Sequence, residues 1–107
     1  MATYKAHDGW EALGDPSRFA IVRCLAERPR DVGELAGELP ITRQAVSQHL
    51  KVLRVAGLVT AEPMGTRRVY RLNPVGVAAL RDQLDTFWRR ALDGYQDVVE
   101  DDTEENS

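Results

Sequence analysis

The residues in this sequence best suited to chemistry are hydrogen-bond donors gathered in one stretch: Thr42, Arg43, Gln44, Ser47, Gln48, His49, Lys51 and Arg54. Arginine forks onto guanine or phosphate, glutamine pairs bidentately with adenine, and serine or threonine serves a base edge or a phosphate. From Thr42 to Ala61 there is no Asp or Glu. A merely solvated face mixes charge signs, so an acid-free face suits an anionic partner. Arg67 and Arg68 follow a little later, and Glu62 weakens the patch slightly. The chain carries no nucleophile elbow, phosphate loop, metal-ligand cluster or paired His and carboxylate at workable spacing, which argues against an enzyme.

The elements that must position these residues follow from local signals. A short helix is expected from about Asp8 to Leu13, with Trp10 and Leu13 on one face. Asp15 then Pro16 reads as an N-cap with proline at the first helical position, and Phe19, Ile21, Val22 and Leu25 supply an apolar side before Pro29. Asp31 caps a third helix from Val32 to about Glu38, with Leu35, Ala36 and Leu39 facing inward, and Pro40 ends it. Thr42 caps a fourth helix, and Gly57 follows its last turn as a residue able to adopt positive φ. Val46, Leu50 and Leu53 face its core side, which leaves the donor residues on the other.

Beyond Gly57 the pattern alternates. Leu58 to Glu62 and Arg68 to Leu72 are expected as strands, joined through Pro63, Met64, Gly65 and Thr66, with arginines at the hairpin tip. Asn73 and Pro74 open a long last helix running to about Val99. Helix, turn, helix and hairpin in this order make a winged helix-turn-helix: mostly α, with a small β-hairpin after four helices and a long fifth helix. A fourth helix of roughly 22 Å is long enough to lie in a major groove. Thr42 also directs its N-terminus toward a phosphate.

At 107 residues, the length allows one domain. Residues 1–100 are expected to form the DNA-binding and dimerisation domain, and residues 101–107 a disordered acidic tail. The net charge of −3 conceals an uneven distribution. Residues 42–71 carry six basic groups against Glu62 alone, whereas residues 81–107 carry nine acidic groups and three basic ones. The expected location is the cytoplasm, because no apolar run approaches a membrane span or a secretory signal.

The last helix points to a second copy of the chain. Val77, Leu84, Ala91 and Val98 recur every seven residues, with Leu80 and Phe87 offset by three and Trp88 and Tyr95 widening the strip. One small domain leaves two adjacent aromatics uncovered, and a symmetric dimer covers them. Trp10, Leu13, Leu80, Leu84, Phe87, Trp88, Ala91 and Tyr95 are the expected interface, completed by Tyr4. Such a dimer reads half-sites one helical turn apart, or slightly further, in an imperfect palindrome of double-stranded DNA.

Between Ala12 and Leu72 the chain carries Ala-Leu-Gly-Asp-Pro-Ser-Arg, Val-Gly-Glu-Leu-Ala, Ala-Val-Ser-Gln-His-Leu-Lys-Val-Leu, Ala-Gly-Leu-Val and Arg-Val-Tyr-Arg-Leu. This succession resembles the ArsR/SmtB family of bacterial dimeric winged-helix repressors. Within the family it is most similar to the small metal-independent autorepressors, whose last helix carries a similar aromatic stretch before an acidic tail. The resemblance implies that Gln44, Ser47, Gln48 and His49 form the groove-facing part of the recognition helix, that Arg67 and Arg68 lie in the wing, and that the first and last helices pair between subunits. Metal-sensing members place thiolates in the third helix, where this chain has Asp31 and Gly33. Others use His and carboxylates on the last helix, yet no His or Cys follows His49. Asp82, Asp85, Asp93 and Asp97 alone are poor ligands for soft or borderline ions. No cofactor and no metal are therefore expected.

Two residues carry competing readings. Cys24 is a small buried hydrophobe, or a sensing thiol activated by Arg23 and Arg28. His49 contacts phosphate or fills the helix-turn-helix boundary, and Pro40 excludes a left-handed residue from the turn. The expected function is a homodimeric, sequence-specific transcriptional repressor, its own promoter being one candidate target. The alternatives are a winged protein-interaction module without DNA, and a thiol- or metal-responsive repressor on the same scaffold.

Overall fold

Asp15, Asp31 and Thr42 each begin a helix because each side chain satisfies amides that a first helical turn leaves unpaired. The computed structural model describes residues 6–105, with side-chain surroundings for residues 9–95. Helix α1 spans Ala6–Leu13, α2 Pro16–Glu27, α3 Val32–Glu38 and α4 Arg43–Val55. The Asp15 carboxylate accepts from the amides of Ser17 at 2.8 Å and Arg18 at 3.1 Å. Asp31 accepts from the Glu34 amide at 2.8 Å, and Glu34 returns the bond by accepting from the Asp31 amide at 3.1 Å. That reciprocal capping box adds a second arm to the expected cap. Thr42 Oγ1 accepts from the Ala45 amide at 3.1 Å.

After α4 the chain turns at Gly57, where φ is 80°, and enters an antiparallel hairpin of β1 (Val59–Met64) and β2 (Arg67–Leu72). The strands reach closer to the turn than expected, leaving only Gly65 and Thr66 between them. Gly65 has φ 65° and Thr66 does not share the positive sign, the pattern of a tight turn with glycine at its first central position. Pro63 is tolerated within β1 because a two-stranded hairpin has open edges. A further pairing was not expected: the Arg30 amide donates to Tyr70 O at 3.1 Å and the Tyr70 amide to Arg30 O at 2.9 Å. This bridge ties the wing to the α2–α3 connection.

Helix α5 runs Pro74–Glu105, past the expected end near Val99. The acidic residues placed in a disordered tail are therefore helical to Glu105. Acidic side chains oppose the helix dipole at a C-terminus, but this segment contains no proline and its glutamates propagate a helix well. Tyr4 and the side chains of Asp97 and Val98, all assigned roles above, lie outside the described residues.

The core lies between α2, α3 and α4. Ile21, Leu25, Leu35, Val46, Leu50, Leu53 and Leu58 are buried, the base of the wing closes one side through Val59 and Tyr70, and α1 closes another through Ala12. Phe19, expected on the apolar side of α2, is 48% exposed. Two residues before Ile21 it points about 200° away around the helix. Helix α5 enters close against the Gly57 turn: the Asn73 side-chain amide donates to Gly57 O at 2.9 Å, and a Cβ added at Gly76 would collide with that same carbonyl.

Candidate nucleic-acid interface

Burying Val46, Leu50 and Leu53 fixes the rotation of α4 and sets its opposite side in solvent. Thr42, Arg43, Gln44, Ser47, Gln48, Lys51 and Arg54 are all exposed. They form one face from the capped N-terminus to the last turn. Among the described residues, no carboxylate forms an ion pair with Arg43, Lys51 or Arg54. Lys51 and Arg54 rim an open cleft floored by Val59 and Ala61, so the face continues toward the wing.

His49 stands apart from this exposed set. It is half-buried, and its Nδ1 lies 3.5 Å from an Arg18 guanidinium nitrogen. Arg18 Nε in turn donates to Ala12 O at 2.6 Å. These contacts set the His49 ring against α2.

The two wing arginines do not act together. Consecutive strand residues point to opposite faces, so Arg67, opposite Met64, and Arg68, opposite Pro63, diverge. Arg68 is exposed, with its guanidinium carbon 6.0 Å from the Tyr70 ring centroid. Arg67 instead turns onto the start of α3. Its Nε donates to Asp31 Oδ2 at 2.7 Å and its Nη2 to Glu34 Oε1 at 2.6 Å. Arg28 Nη1 donates to Glu34 Oε2 at 2.9 Å. Arg43 lies over Gly33, where an added Cβ would come within 2.8 Å of its Nη2. The amide of Glu34, then Arg67, hold the Asp31 carboxyl below the usual range; the amide of Asp31, then Arg28, do the same for Glu34. Both expected wing arginines therefore lie at the hairpin tip, Arg68 turned to solvent and Arg67 ion-paired with α3 while still 53% exposed. Arg71 is likewise paired, with Glu62.

Arg30, which drew no attention in the sequence, is the buried ion of the domain at 3% exposure. Its guanidinium bonds Glu38 and the carbonyls of Cys24 and Arg28, and reaches Glu27 at 3.4 Å. It braces the end of α2, the end of α3 and, through its backbone, the wing. No local pattern reveals it, since its partners come from three separate segments.

The order of helices and hairpin matches known proteins. The family described as bacterial regulatory protein, arsR family, matches residues 15–61. The HTH-type transcriptional regulator Rv2034 of Mycobacterium tuberculosis is 57% identical over 107 residues, covering 96% of this chain and 100% of that protein. The chain belongs to the ArsR family. As an ArsR-family protein it is a DNA-binding transcriptional regulator with a winged helix-turn-helix fold, and not an enzyme. A crystal structure described as a possible transcriptional regulator for arsenical resistance superposes with a TM-score of 0.71 at 44% identity, covering 76% of this chain and 84% of that one. The transcriptional repressor SmtB of Mycobacterium tuberculosis is 49% identical over 61 residues, covering 57% of this chain and 45% of that protein.

This ArsR-family regulator also carries an exposed apolar face. Phe87, Trp88 and Tyr95 are 56%, 54% and 68% exposed, and Trp10, Leu84, Ala91 and Leu92 are exposed with them. Trp10 and Phe87 meet with ring centroids 6.1 Å apart, and Phe87 and Trp88 at 5.7 Å. Leu13 and Leu80 differ from this set, because both pack partly against the chain's own core.

Asp31 already caps α3 and holds Arg67, and Gly33 offers no ligand. Among the described residues, no cluster of three or more His, Cys, Asp or Glu is placed to hold a metal ion. Cys24 is half-buried and packs against the core. Among the described residues, no helix is long and apolar enough to cross a membrane.

Proposed function

We propose that this chain is a cytoplasmic, homodimeric repressor that binds an imperfect palindrome in double-stranded DNA without a bound metal or cofactor. Residues 1–100 supply DNA binding and dimerisation, and the remaining acidic residues extend the last helix. The observation that carries the reading is the acid-free, solvent-facing side of α4. Arg43, Gln44, Ser47 and Gln48 choose sequence, while Thr42, Lys51, Arg54 and Arg68 contact phosphate. The aromatic face of α1 and α5 supports pairing of two copies, which places two recognition helices about 34 Å apart.

The test is an anisotropy titration against the protein's own upstream region and against mixed-sequence duplex, repeated across salt concentrations. Gln44→Ala should cost about 1–3 kcal/mol of discrimination while leaving mixed-sequence binding nearly unchanged. Arg68→Ala should weaken both duplexes alike and flatten the logarithmic salt slope by about 0.9. Identical effects of the two substitutions on both duplexes would overturn this division of roles.

A further inference from the structure

We propose that Asp31 and Glu34 form a carboxylate clamp that holds the wing arginine Arg67 against α3, and that this clamp sets the affinity for DNA. The proposal rests on the DNA-binding reading above and concerns how that binding is regulated.

The geometry is that of a site already filled. Arg67 spends two donors, Nε at 2.7 Å from Asp31 and Nη2 at 2.6 Å from Glu34. Each carboxylate does double duty. Asp31 uses Oδ1 for the α3 amide and Oδ2 for Arg67, while Glu34 uses Oε1 for the Asp31 amide and Arg67, and Oε2 for Arg28. The capping box thus fixes both carboxylates before the wing arrives, so little side-chain freedom is lost when Arg67 docks.

The clamp competes with DNA for the same cation. Arg67 stands beside the hairpin turn, paired with Met64 at the end of the ladder, and is exposed. A phosphate offers its fork the same paired oxygens that Asp31 and Glu34 offer now. All three side chains are at least partly exposed, and exposed ion pairs are weak enough for a dense row of phosphates to displace them. Arg43 of α4 lies over Gly33 near Asp31 but forms no ion pair with it among the described residues, so Arg67 is the cation the clamp holds.

Asp31→Asn with Glu34→Gln removes both charges and preserves the cap, because asparagine caps as well as aspartate and glutamine completes the box. In anisotropy titrations on a mixed-sequence duplex this variant should bind roughly five-fold tighter, with a salt slope steeper by about 0.9, the signature of one additional phosphate contact. In an Arg67→Ala background the same pair of substitutions should leave the slope unchanged. Equal gains in both backgrounds would mean simple loss of negative charge, and would overturn the clamp. Arg67→Lys provides a second test that leaves α3 untouched: it keeps the charge but loses the fork, and should bind at least as tightly as the wild type. Weaker binding by Arg67→Lys would also overturn the clamp. Failure of the wild-type protein to bind any duplex would instead remove the DNA-binding reading, and the clamp with it.

Discussion

Arg30 and the three capping carboxylates show how single side chains hold the recognition surface in place. Arg30 is buried, yet its charge is matched by Glu38 and its remaining donors are taken by backbone carbonyls. Arg30→Ala orphans those carbonyls and strips a packed stem from the joint between α2, α3 and the wing. Thermal unfolding should show a loss of roughly 2–3 kcal/mol. The carboxyls of Asp15, Asp31 and Glu34 all titrate below their usual range, chiefly through the amides of Arg18, Glu34 and Asp31 respectively. Because the folded values lie below the unfolded ones, their stabilisation is complete above about pH 5 and is lost as pH falls through the folded values. Circular dichroism between about pH 5 and pH 2 should record that loss, and Asp31→Asn, which keeps the cap without the titrating group, should reduce it. The caps were legible in the sequence because capping is local. Arg30 was not, because Glu38 and Tyr70 reach it only through the fold.

Between elements, the decisive contacts are those that aim α4 and the wing. The hydrophobic spacing of α4 foretold which face it buries, and the structure agrees at Val46, Leu50 and Leu53. The sequence placed Arg67 and Arg68 together at the hairpin tip, but the divergence of their side chains follows from the observed strand register, and the docking of Arg67 on α3 from the packed fold. The entry of α5 beside the Gly57 turn was invisible to periodicity, since it depends on the backbones of Gly57 and Gly76 touching. Gly76→Ala should therefore destabilise the domain by about 1–3 kcal/mol despite alanine's higher helix propensity. Gly37→Ala, in α3 where an added Cβ meets nothing within 4 Å, should stabilise it by up to about 1 kcal/mol. Paired melting curves check both signs, and similar shifts for the two variants would contradict the close approach of α5.

For the molecule as a whole, α5 extends well beyond the body it starts from, and the described chain measures 70 × 32 × 23 Å. Its aromatics Phe87, Trp88 and Tyr95 are each more than half exposed. An exposed apolar strip of this kind marks an association surface. Phe87→Glu should yield a monomer in sedimentation experiments and sharply weaken operator binding, since joining two half-sites on one molecule is what raises affinity. A Phe87→Glu protein that remained dimeric would place the interface elsewhere. The uneven charge belongs to this scale too. The basic segment lies on α4 and the wing, while the acidic excess lies along α5, so an overall charge of −3 is compatible with a DNA-binding face.

Residue order alone settled the number and sequence of helices, their caps, the hairpin, the exposed side of α4 and the resemblance to a regulator family. These depend on periodicities and capping interactions that act over a few residues. Folding in three dimensions decided which cations are presented and which are already neutralised, because Arg67, Arg30 and Arg71 find their carboxylates across elements or strands. It also separated Leu13 and Leu80, which help cover the chain's own core, from the aromatics beyond them that stay exposed. Charge type is written in the sequence, but the partner of a charge is set by distance, and distance between segments exists only once the chain has packed.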